Sequence, residues 1–222
     1  MDIKENLLNI KSQLPEHVTL IAVSKTKPIN DLMEAYNAGQ RVFGENKIQE
    51  MADKWEKMPK DIQWHMIGHV QRNKVKYMAE FVDLIHGVDS VKLLKEINKQ
   101  ARKHNRAINC LLQIKIAEED NKFGLTHTDA KSILVSKELS ELENIKIVGL
   151  MGMATFTDDM AQVKNEFKFL KSKFDEFKII KSDNCDLKAI SMGMSGDYHL
   201  AIDCGSNMVR IGSSIFGARN YD

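Results

Sequence analysis

The sequence predicts an α/β fold, a TIM (β/α)8 barrel with an additional N-terminal helix. Three observations predict it. Eight short apolar runs recur along 222 residues, and several are continuous rather than alternating, as strands buried on both faces of a parallel sheet are. Longer amphipathic segments separate most of these runs, which is the alternation of a repeated βα unit. The first strand-to-helix turn, Ser24-Lys25-Thr26-Lys27-Pro28, lacks the glycines that an open, doubly wound dinucleotide-binding sheet places there. Eight βα units suit a barrel, although 222 residues is compact for one.

The elements follow in chain order. MDIKENLLNIKSQL is amphipathic and reads as a helix near 3–13, ahead of the first strand. It lacks the long apolar segment of a secretory signal. TLIAVS (19–24) is the first strand. Pro28 opens a helix over 29–39 that Gly39 closes. A brief RVF (41–43) is the second strand, followed by Gly44-Glu45-Asn46 and a helical pattern over 45–58. IQWHMI (62–67) is the third strand and opens into GHVQRNK (68–74). FVDLIHGV (81–88) is the fourth, and Asp89 or Ser90 caps a helix over 90–105. INCLLQIKI (108–116) is the fifth and leads to EEDNKFG (118–124). A helix over 126–142 precedes IKIVGLM (145–151), and a helix over 158–174 precedes LKAISM (187–192). MVRIG (208–212) is the eighth strand. Three prolines and no low-complexity run leave no linker, so residues 1–222 are expected to form a single domain.

Composition excludes several function classes. Lys and Arg number 32 against 31 Asp and Glu, so no basic excess advertises nucleic acid or an anionic membrane. No window reaches 18 apolar residues, so no membrane span is expected. Cys110, Cys185 and Cys204 form no CxxC, no zinc spacing and no even-numbered disulfide framework. A reducing cytoplasm is the expected setting. His65 and His69 have metal-ligand spacing only on a helix, and Ile67-Gly68 marks a strand end instead, so no metal is expected. Met151, Met153, Met192 and Met194 are expected mainly in the core.

In a barrel the site lies where strands end. Two of those ends are turns rich in glycine and serine. Ser191-Met-Gly-Met-Ser195-Gly-Asp follows the seventh strand, and Gly212-Ser213-Ser214 follows the eighth. Glycines let backbone N–H groups approach an anion, serines add donors, and a following helix N-terminus adds favourable potential. Neither turn is a Walker motif, so the reading is a phosphate site without nucleotide hydrolysis. Lys25 and Lys27 end the first strand and face the same way if that strand continues. A lysine that burial or a second cation deprotonates can attack a carbonyl. Together these features point to a carbonyl-bearing phosphate ligand, either pyridoxal phosphate or a phosphosugar aldehyde or ketone. Arg210, amid apolar residues of the last strand, needs a pyridine nitrogen, a carboxylate or a salt bridge as partner. Spacing does not choose between the two lysines.

These residues resemble a known family. AVSKTKP (22–28), FGEN (43–46), WHMIGHVQRNK (64–74), KFG (122–124), GLMGMA (149–154), SMGMSGD (191–197) and VRIGSSIFG (209–217) together are similar to the pyridoxal phosphate homeostasis proteins, relatives of the N-terminal barrel of alanine racemase. The resemblance covers nearly the whole chain. It implies a TIM barrel that holds pyridoxal 5'-phosphate as a reversible Schiff base on Lys25, the first lysine of the SKTKP motif. It also implies that Ser191 or Ser195, with Gly212 and Ser213, holds the phosphate, that Arg210 lies near the pyridine nitrogen, and that Asn46 lines the pocket. Lys122 of KFG would take part in cofactor exchange. Lys47 stands where relatives often carry tyrosine.

The family implies a cytoplasmic carrier or regulator of the cofactor without established enzymatic activity, hence no catalytic residue. Pyridoxal-phosphate-dependent apoenzymes are its implied partners. Only five residues follow Gly217, so the second domain of alanine racemase is expected to be absent and a monomer is expected. The alternative is an amino-acid racemase or lyase. That reading needs a proton donor opposite the lysine, from Lys122 or from Tyr36, Tyr77, Tyr198 or Tyr221, none of which a motif nominates. A pure interaction module fits less well, because the polar candidates converge on one barrel face.

Overall fold

A computed structural model describes residues 2–118 and 123–218. Eight parallel strands form a closed barrel in chain order: β1 (Thr19–Val23), β2 (Val42–Glu45), β3 (Gln63–Met66), β4 (Val82–Val88), β5 (Ile108–Gln113), β6 (Ile145–Met151), β7 (Cys185–Met194) and β8 (Met208–Ile211). Closure is made by β8 pairing back onto β1 through Thr19↔Met208 to Ala22↔Ile211. The period of two along each strand sorts side chains into two layers. Leu20 and Ala22, Trp64, Ile85, Ile190, and Val209 and Ile211 join the large core between barrel and helices. Ile21 and Val23, Leu84, Leu111 and Ala189 form small separate clusters inside the barrel. The outer layer carries the bulk. Trp64, Phe43, Phe167 and Phe177 are fully buried, each stabilising the fold by roughly 2 kcal/mol from area alone.

The helical shell follows the amphipathic segments. α1 (Ile3–Gln13) starts on Asp2, whose carboxylate accepts the Glu5 N–H at 2.9 Å. It packs against α2 (Ile29–Asn37) and the short α9 (Ser213–Phe216) near the C-terminus. α3 (Ile48–Lys57), α4 (Val91–Lys103) and α7 (Met160–Phe177) match the predicted segments within a few residues. Ser90, rather than Asp89, caps α4 by accepting the Leu93 N–H.

Several elements differ from the sequence reading. The helix expected over 126–142 is two, α5 (His127–Leu134) and α6 (Lys137–Ser140). Ser136 breaks it, because its hydroxyl takes the Leu139 N–H and restarts the ladder as a cap. The link from β3 to β4 is a 3-10 helix, Arg72–Tyr77, in which Val75 alone is buried, too little for an amphipathic α-helix. β2 runs on through Glu45, since Gly44 pairs with both β1 and β3 and Glu45 pairs with Met66 of β3. β7 runs on to Met194, held by Ser191↔Met208 and Met194↔Arg210 pairing. Ser191 therefore lies within a strand, not in a turn. The short α8 (Tyr198–Asp203) follows it.

Candidate functional site

A cavity of about 580 Å³ opens at the mouth where the strands end, within the usual size of small-molecule sites, roughly 300–1,000 Å³. Lys25, Asn46, Ser195, Arg210, Gly212 and Ser213 all line it. They come from the ends of β1, β2, β7 and β8, so barrel closure gathers residues that lie far apart in the chain. Lys122 lies outside the described residues.

The strand carrying Lys25 does not continue as the alternation argument supposed. β1 stops at Val23, and Thr26 has φ +63°, a left-handed conformation that breaks the period of two. Lys25 and Lys27 both reach the cleft, but as parts of a turn closed by the Lys27 N–H on the Ser24 carbonyl at 3.1 Å. The Lys27 ammonium donates to the Ala218 carbonyl at 2.8 Å, so the structure gives this lysine a partner in the last described segment.

The two glycine-serine turns meet. Ser195 Oγ accepts the Gly212 N–H at 3.2 Å. Asp197 braces its own turn by accepting the Met194 N–H through its carboxylate at 2.5 Å. A side chain at 212 would press on the end of β1, since a Cβ there would lie 3.0 Å from the Val23 carbonyl oxygen and 3.2 Å from the Val23 Cβ. Ser213 opens α9, where the leading N–H groups of a helix have no partner in the helix itself. The donor set, hydroxyls and backbone N–H groups beside a cation, suits an oxyanion.

Ser191 is placed differently from Ser195. Its side chain is fully buried inside the barrel and does not line the cleft. Its hydroxyl oxygen receives a hydrogen bond from Arg210 Nη1 at 2.6 Å and lies 3.0 Å from His86 Nδ1. Arg210 also donates to the Ser191 carbonyl at 3.0 Å and to the Gly152 carbonyl at 3.1 Å. Burial lowers the guanidinium to about 10, with Asp197 acting in the opposite sense, so it stays cationic at neutral pH. Beneath it, His86 Nε2 lies 3.1 Å from His65 Nδ1, and His65 Nε2 lies 3.6 Å from Asp83 Oδ2. Burial, then the neighbouring His65 and Arg210, push His86 well below the usual imidazole range, which keeps it neutral. From the sequence alone His86 reads as a structural or surface residue. The structure makes it part of a polar column supporting Arg210.

Other residues of the cleft carried weaker sequence signals. Gln113 ends β5 and donates to the Phe123 carbonyl at 2.9 Å. A polar residue inside the apolar run 108–116 was the available clue. His69 stacks on Phe123, with ring centroids 4.1 Å apart, and its Nδ1 lies 3.4 Å from Asp89. Met153 and Met194 line the cleft, whereas Met151 and Met192 are buried in the core. Among the described residues no tyrosine lines the cleft and no group of three metal-ligating side chains occurs.

Below the Lys25 turn lies a buried ion pair, Lys54 with Glu45 at 2.7 Å. Burial is the main influence on Glu45 and outweighs Lys54 and Ser24, raising its carboxyl from 4.5 to about 7. The folded protein thus holds a proton that the unfolded chain has released between those values. This contribution is complete below pH 4.5 and is lost as pH rises through 7, amounting to about 3 kcal/mol at most. Urea midpoints of the wild type are expected to fall across this interval relative to Glu45→Gln, which cannot titrate. Parallel curves for the two proteins would refute the assignment.

The family described as "Alanine racemase, N-terminal domain" matches residues 1–220. The "Pyridoxal phosphate homeostasis protein" of Pasteurella multocida (strain Pm70) is 38% identical over 234 residues, covering 100% of this chain and 99% of that one. Among solved structures, PipY of Synechococcus elongatus PCC7942 is similar in two states. Without PLP it is 36% identical with a TM-score of 0.90, covering 97% of this chain and 100% of that chain. With PLP bound it is 35% identical with a TM-score of 0.87 at the same coverage.

Proposed function

This chain belongs to the pyridoxal phosphate homeostasis protein family, and from that premise we propose that it binds pyridoxal 5'-phosphate reversibly as a carrier in cofactor homeostasis, not as an enzyme. The observation that carries the reading is the convergence of Lys25, Arg210 and the two glycine-serine turns on one cleft. Bound pyridoxal phosphate supplies an aldehyde that amines bond reversibly. Lys25 would offer the amine. Ser195, Gly212 and Ser213 would meet the phosphate with hydroxyl and backbone donors. Ser191 contributes from beneath, holding Arg210 in place. Arg210, cationic and immobilised by three hydrogen bonds, would face the ring nitrogen and keep a proton off it. That weakens the ring as an electron sink, which suits a carrier better than a racemase. Asn46 would form part of the wall beside Lys25.

In this reading residues 1–222 act as one domain, the protein works as a monomer in the cytoplasm, and its partners are apoenzymes that take up the cofactor. No described helix is long and apolar enough to cross a membrane. The role of Lys122 in exchange rests on the family resemblance alone.

One preparation tests the reading with two readouts. Protein loaded with pyridoxal phosphate and reduced with borohydride is expected to carry the cofactor on the peptide containing Lys25. The same loaded protein, unreduced and incubated with single L-amino acids in deuterated water, is expected to leave their Cα hydrogens in place. A label on Lys27, or none, would sink the site assignment. Catalytic Cα exchange that requires Lys25 would make the protein an enzyme.

A further inference from the structure

The turn that carries Lys25 is gripped from one side by charged side chains that lie outside the cleft lining. Lys54, on α3, donates from its ammonium to the Ser24 carbonyl at 2.8 Å, to Glu45 Oε1 at 2.7 Å and to Glu50 Oε1 at 2.7 Å. Glu45 Oε1 also accepts the Ser24 hydroxyl at 2.6 Å. Glu50 Oε1 accepts the Thr26 N–H at 2.6 Å. The carbonyl just before Lys25 and the N–H just after it are therefore both held by this group. Glu50 and Lys54 are four residues apart, so α3 presents them on one face.

Two features say that this grip does more than fill space. Lys54 and Glu45 are buried, and Glu45 Oε2 has no hydrogen-bond partner among the described residues. Apolar residues of similar volume often serve stability as well as a buried ion pair does, so stability alone is a weak account of the arrangement. Thr26 is also β-branched at φ +63°, a conformation such residues keep when their surroundings over-determine it. Here the surroundings are the Glu50 carboxylate on the Thr26 N–H and Lys54 on the Ser24 carbonyl.

We propose that Lys54, Glu45 and Glu50 form a positioning triad that holds the Ser24–Thr26 turn, with Thr26 left-handed, and so aims the Lys25 amine into the cleft. The triad touches neither the cofactor nor the reacting atoms. The proposal rests on the cofactor reading above. Condensation of the Lys25 amine with an aldehyde joins nitrogen to carbon, releases one water and needs no oxidant or reductant. The triad would favour that step by fixing where the amine starts.

The test uses the full chain and two variants, Lys54→Met and the milder Glu50→Ala at a partly exposed position. In the cofactor-free protein, hydrogen exchange at the Thr26 amide is expected to speed up in both. In titrations, the equilibrium for attaching pyridoxal phosphate is expected to weaken about tenfold or more, while affinity for pyridoxine 5'-phosphate, which has no aldehyde, changes by less than about twofold. Equal losses for the two ligands, or unchanged Thr26 exchange, would overturn the proposal. If Lys54→Met does not fold, Glu50→Ala carries both readouts. A wild type that attaches no pyridoxal phosphate would instead overturn the cofactor reading, and Thr26 exchange would still judge the triad.

Discussion

Lys25→Ala is expected to abolish covalent attachment of pyridoxal phosphate while leaving weaker, non-covalent binding. The loss of the borohydride-fixed link is expected to be all-or-none, because the other amine of this turn, Lys27, is engaged with the Ala218 carbonyl. The residual affinity is expected to come from Ser195, Gly212, Ser213 and Arg210, which line the same cleft and which the substitution does not touch. A drop in affinity of tenfold or more, about 1.4 kcal/mol, is expected by equilibrium titration. Lys27→Ala is the control. Its ammonium is engaged with the Ala218 carbonyl, so removing it is expected to leave the covalent link intact. Loss of the link in Lys27→Ala with retention in Lys25→Ala would reverse the assignment.

Gly149→Ala is expected to be the most destabilising single methyl in the barrel wall. Gly149 pairs with Ala189 where the register between β6 and β7 shifts. A Cβ at 149 would overlap the Ala189 carbonyl oxygen and sit 2.6 Å from its carbonyl carbon and 3.0 Å from its Cα. These are backbone atoms, so no rotamer change relieves the clash. β6 would have to separate from β7 within a closed barrel. A cost of at least about 3 kcal/mol follows from overpacking, a large share of the roughly 5–15 kcal/mol that holds a domain together. Gly196→Ala is the matched control, since a Cβ there meets nothing within 4 Å; its effect is expected to stay within about 0.5 kcal/mol. Denaturant midpoints decide, and equal midpoints for the two variants would refute the clash argument.

Several residues that line the cleft are legible in the sequence, and the reasons are specific. Gly212-Ser213 and the turn at Ser195 were visible because small, donor-rich residues interrupt apolar runs. Arg210 stood out as a cation inside a buried strand. The sequence leaves Ser191 and Ser195 as alternatives, because their separation depends on β7 extending to Met194, which the apolar run ending at 192 does not reveal. Glu45 falls past the expected end of the second strand at 43, because its place depends on pairing with Met66 of β3. Lys54 carried no signal at all: on a helix rich in charge it is indistinguishable from the exposed Lys57, and its burial depends on the turn at 24–27 packing above it.

The sequence by itself determined the barrel, since eight apolar runs at βα spacing admit few other closed arrangements, and it determined the family through motifs spread along the chain. The tertiary structure alone decided the roles within that frame. It directed Ser191 inward to Arg210 and His86, gave Lys27 a partner at Ala218, and set Lys54 beneath the Lys25 turn. The physical reason is shared by all three. Local pattern records which side chains alternate along one strand, but where a strand stops, and which distant residue then stands opposite, is settled only when the barrel closes.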